Sequence, residues 1–176
     1  MPAPDIEPLF GTPDHARRLL DDPARLRQAV DDIVTAFAAL GAPATWTFPD
    51  GIPQARTVLL LVLALPGSAE LHQGEQPGRE EDLPFYQAAL AARRSLAVDA
   101  APGLTWLGGP DGVLAFHRGN FACMLNLSDD PVPVIGPVLL SSEPVVDGLL
   151  PPRAAAWTSG LPGVDQAAQY TVYEGR

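Results

Sequence analysis

Between Val58 and Leu65 the chain reads VLLLVLAL, with no polar side chain to turn toward water. The run falls far short of the ~20 residues that a membrane-spanning helix needs, so other parts of the same fold have to enclose it. Periodicity cannot type a segment that is apolar on all sides. Its punctuation can: Pro53 stands before it and Pro66 and Gly67 after it, which predicts a buried helix over Gln54 to Leu65. A strand over Ala44 to Phe48, closed by Pro49, Asp50 and Gly51, precedes the helix, and a short strand near Ala69 to His72 follows it. Strand, helix, strand makes a βαβ-like unit.

Helices flank this unit. Thr12 and Pro13 open a short one through Ala16, Leu19 and Leu20, and Asp22 and Pro23 open a longer one. Along the second, Leu26, Ala29, Val30, Ile33, Val34, Phe37 and Leu40 recur at helical spacing until Gly41 and Pro43 end it. Asp82 and Pro84 start another through Phe85, Ala88, Ala89, Ala92 and Leu96, with Arg93 and Arg94 near its C-terminal end, where cations are favoured. The acidic run Glu80, Glu81 and Asp82 suits the positive end of that helix.

From Gly103 the pattern changes to short β-rich runs: Leu104 to Leu107, Gly112 to His117, Phe121 to Leu127, Val132 to Ile135, Val138 to Ser141 and Ala154 to Trp157. Turn residues at Gly108 to Gly112 and Arg118 to Asn120 make the first three a meander. The expected fold class is α+β, with residues 1–100 helical, 101–160 an antiparallel β-sandwich and 161–176 a weakly patterned tail.

Composition narrows the function classes. Hydrophobic residues make up 47% of the 176 positions, enough for a real core, and a net charge of −10 repels both nucleic-acid phosphates and anionic lipid surfaces. Neither nucleic acid nor a membrane is expected as a partner. Met1 to Phe10 lacks the basic and apolar regions of a secretory signal, and the single cysteine, Cys123, has no disulfide partner, so a cytoplasmic location is expected. His15, His72 and His117 show no metal-ligand spacing, and no glycine-rich phosphate loop is present, so no metal and no cofactor are expected.

Four strings carry a resemblance. Leu63 to Glu75, LALPGSAELHQGE, is similar to the segment L-x-L-P-G-x-x-x-x-Y-Q-G-E that runs into the eighth barrel strand of family-13 glycoside hydrolases, the α-amylase and α-glucosidase family. Gly112 to Ser128, GVLAFHRGNFACMLNLS, resembles part of that family's C-terminal β-domain, and Leu139 to Trp157 continues it. Asp22 to Trp46, ending GAPATW, resembles the sixth barrel helix and seventh strand, so the likeness covers roughly residues 20–158. It implies a partial (β/α) barrel remnant, of helices and two short strands, in the first hundred residues, followed by the sandwich.

The departures bear on activity. Where the family delivers an Asn-His-Asp triplet, this chain reads Thr47, Phe48, Pro49, Asp50, Gly51, and the loop that follows is cut to a few residues before Gln54. The family's carboxylate nucleophile and general acid come from strands four and five, which would lie upstream of Met1. The resemblance therefore implies no independent glycosidase activity and no catalytic residue here. The candidate pocket is Asp50, Glu70, His72 and Glu75: His72 and Glu75 would lie at the C-terminal end of the last strand, where such barrels place function, and Glu70 and His72 stand where the family usually has aromatic or apolar residues.

A severed barrel leaves open strand flanks, so a homodimer or a partner protein chain is expected, with a sugar or another small molecule as a possible ligand. Three functions fit: a non-catalytic binding or interaction module, one half of a split α-glucosidase completed by a partner chain, or a small-molecule enzyme with a remodelled pocket.

Overall fold

The computed structural model describes residues 8–48, 51–52, 54–70, 82–96 and 103–159. Helix α1 (Pro13–Leu20) is capped by Thr12, whose side chain accepts from the His15 amide at 3.2 Å. Helix α2 (Pro23–Ala39) is capped in the same way by Asp22 and the Arg25 amide at 3.1 Å. Both have proline in the first turn, where its missing N–H costs no helical bond. Strand β1 (Thr45–Thr47) and strand β2 (Ser68–Glu70) pair in parallel, Trp46 opposite Ala69, with helix α3 (Ala55–Ala64) crossing between them. Helix α4 (Leu83–Ser95) follows.

The second half is a five-stranded antiparallel sheet in the order β3-β4-β5-β9-β7. Its strands are β3 (Thr105–Leu107), β4 (Val113–Arg118), β5 (Phe121–Asn126), β7 (Val138–Ser141) and β9 (Ala154–Ser159). Strands β6 (Val132–Pro133) and β8 (Leu149–Leu150) pair separately. The chain is therefore an α+β fold, and β3-β4-β5 is the expected meander. Strand β6 is shorter than Val132 to Ile135, and β8 has no counterpart among the expected runs, because two leucines before Pro151 and Pro152 are too few to show alternation.

Strands β4, β5 and β9 are buried on both faces, so they read as apolar runs without alternation. One face, through Leu114, Phe116, Phe121, Cys123, Leu125, Ala155 and Trp157, joins the core formed by the helices. The other, through Val113, Ala115, Met124, Ala154 and Ala156, packs on Val132 and Leu150 of the β6–β8 pair. Sandwich character is confined to that second face, since α3 occupies the first.

Helix α3 is the centre of the molecule. Val58 through Leu65 are each 0–1% exposed, so the segment is enclosed as its sequence requires. Enclosure creates a polar problem, because the last turn of a helix leaves carbonyls without helical partners and water cannot reach them here. Side chains from distant elements supply the donors. Arg93 donates to Leu63 O and Gly67 O, both at 2.7 Å, and Arg118 donates to Ala64 O at 3.0 Å and Gly103 O at 2.9 Å. Trp157 Nε1 donates to Leu60 O at 3.0 Å, and Trp46 Nε1 to Pro66 O at 2.8 Å. Two guanidinium groups at a helix C-terminus also oppose the negative end of its dipole. Arg93 lies in the last turn of α4, yet the carbonyls it serves belong to α3 and the turn after it.

At the other end of α3, Thr57 Oγ1 donates to Arg153 O at 2.9 Å and shares a 3.0 Å hydrogen bond with Ser142 Oγ, which accepts from the Ala155 amide. Asn126 fixes the rim of the sheet: its Nδ2 donates to the carbonyls of Asp130, Leu150 and Pro151, and its Oδ1 accepts from Ser128. Trp106 of β3 donates to Asp31 of α2 at 2.7 Å beneath the Arg27 guanidinium, tying the sheet edge to the helices. Gly67 has φ +111°, and a Cβ there would lie 2.0 Å from the Ala44 carbonyl oxygen, so the turn into β2 admits only glycine.

Two substitutions test this arrangement by urea unfolding. Arg118→Met strands the Ala64 carbonyl in the core and should cost about 2–4 kcal/mol, whereas the exposed Arg94→Met should stay within ~0.5 kcal/mol. Gly67→Ala should cost at least ~2 kcal/mol through backbone collision with Ala44. Equal stabilities for Arg118→Met and Arg94→Met would contradict the role of Arg118.

Candidate functional site

Of the four candidate pocket residues, Glu70 is described, and Asp50, His72 and Glu75 lie outside the described residues. Glu70 ends β2, is exposed, and stands opposite Thr47 in the parallel register. Its carbonyl accepts from the Phe48 amide at 3.4 Å, which carries the pairing one residue past β1. Phe48 itself is buried, so its phenyl ring lies in the core. Alternation along the pair leaves Trp46 in the core, while Ser68 and Glu70 are exposed and Thr45 and Thr47 half-buried. Among the described residues each of the two strands has one ladder partner, the other strand, and its outer flank has none.

An aromatic and ionic cluster sits beside Phe48. Tyr86 of α4 meets Phe48 edge-on at 6.2 Å between ring centroids and Phe85 at 6.5 Å. Arg56 of α3 lies 5.2 Å over the Phe85 ring and bonds the Asp82 carboxylate, Nε to Oδ1 at 2.6 Å. Asp82 stands before α4 as its sequence position suggested, but its side chain makes no capping hydrogen bond, and the carboxylate reaches across to Arg56 instead. Glu80 and Glu81, expected to share the capping, lie outside the described residues. This ion pair spans 26 positions of sequence, and no local pattern announces it.

Tyr86 carries the one buried side-chain polar atom among the described residues that lacks a hydrogen-bond partner, its hydroxyl. Burial pushes the phenol up from its ordinary 10.0 to about 12, the Asp82 carboxylate adds to the rise, and Arg56 opposes it. Cys123 is fully buried in the sheet, and burial pushes its thiol up as well, so it is a filler and not a nucleophile. Among the described residues no three His, Cys, Asp or Glu side chains are grouped to hold a metal, and no helix is long and apolar enough to cross a membrane.

A concavity opens at the opposite ends of the strands. It is a cleft of about 520 Å³ lined by Val34 and Ala38 of α2, the turn Pro66–Ser68 and Arg118. Its walls are mostly apolar, and among the described residues no carboxylate lines it.

At these strand ends the described carboxylates are those of Asp82 and Glu70. Hydrolysis requires two carboxyl groups facing each other across the bond, a few ångström apart. Asp82 is committed to Arg56, and Glu70 stands exposed at the end of β2.

A buried hydroxyl without a partner costs stability, so Tyr86→Phe should leave the unfolding free energy unchanged or raise it by up to ~1 kcal/mol at pH 7. The phenol's pKa is higher folded than unfolded, so its contribution is complete below pH 10 and is lost as pH rises through about 12. The variant should lose less stability over that interval. Urea titrations from pH 7 to 12 check both points, and a loss above ~1 kcal/mol at pH 7 would mean that the hydroxyl has a partner.

Comparison with protein-family models gives no match to this chain, and neither does comparison with curated proteins.

Proposed function

We propose that the chain is a non-catalytic relative of the C-terminal part of the family-13 glycoside hydrolases, and that it acts as a binding or interaction module. The observation that carries this reading is the β1–α3–β2 unit, a parallel pair with its crossover helix, placed directly ahead of a helix and an antiparallel sheet. That order supports a likeness to the last two strands of a (β/α) barrel and the β-domain that follows them. The strings LALPGSAELHQGE and GVLAFHRGNFACMLNLS point the same way.

Lack of catalysis is supported at the strand ends. Buried Phe48 stands where the family's pattern has its Asn-His-Asp triplet, and Asp82 is neutralised by Arg56. The interaction role is supported by the flanks. Parallel sheets are found buried and many-stranded, whereas β1 and β2 have only each other among the described residues. A second copy of the chain or a strand from another protein would satisfy those edges.

A second reading is favoured by the polar face of the pair. Thr45, Thr47, Ser68 and Glu70 would suit a barrel interior lined for a hydroxylated ligand, with a partner chain supplying the remaining strands and the missing carboxylates. This is the split α-glucosidase.

The purified chain, at micromolar concentration, should release no p-nitrophenol from an aryl α-glucoside above the buffer rate. Light scattering after size exclusion should give about twice the 18.6 kDa chain mass. Release of p-nitrophenol by the chain alone would overturn the non-catalytic reading, and a concentration-independent mass of 18.6 kDa would overturn self-association.

A further inference from the structure

We draw no further inference here: the strongest candidate, the cleft of about 520 Å³ between Val34 and Ala38 of α2 and the Pro66–Ser68 turn, has mostly apolar walls and a buried arginine bonded to the Ala64 and Gly103 carbonyls, and nothing in the structure shows what would fill it.

Discussion

The closure of α3 by donors from elsewhere is the constraint on which the rest of the structure depends. A helix enclosed on every side gains about 1.5–3 kcal/mol for each large aliphatic side chain taken out of water. Each terminal carbonyl left unbonded in the same environment would return about 1–3 kcal/mol of that. Arg93, Arg118 and Trp46 come from α4, β4 and β1 and bond the carbonyls of Leu63, Ala64, Pro66 and Gly67, while Trp157 of β9 adds a bond to Leu60 O within the helix. The helical half and the sheet consequently share one core, with Trp157 of the sheet and Leu60 of the helix joined within it.

The same closure limits what the strand ends can do. Aligning Arg93 and Arg118 with α3 places both cations at the leading ends of β1 and β2, away from Glu70. At the trailing ends the side chains turned inward are Phe48 and Tyr86, and the ionic groups beside them, Arg56 and Asp82, neutralise each other. What these ends offer among the described residues is a small polar face, and each strand there has the other as its one ladder partner.

Much of the architecture was legible in the sequence. Proline and glycine on either side of VLLLVLAL typed α3, cap residues placed α1 and α2, and regular turn signals located most of the strands. The parts that were not legible depend on pairing across the chain. Arg118 lies 54 positions from Ala64, and Arg93 lies 30 from Leu63, so no local window relates them. Strand β8 exists only because Leu150 meets Val132 across the ladder. The candidate site was the least legible part: β2 ends at Glu70, inside the strand expected near Ala69 to His72, and the sequence marks Arg56, Phe85 and Tyr86 as helix residues without relating them as a cluster.

Native-state hydrogen exchange tests most directly whether α3 joins the two halves. Amides of Leu59 to Leu63 and those of Phe121 to Leu125 should exchange with the same opening free energy, equal to that of global unfolding. Exchange of the α3 amides through a cheaper opening, with β5 still protected, would contradict the shared core and leave the helical half as a separately melting unit.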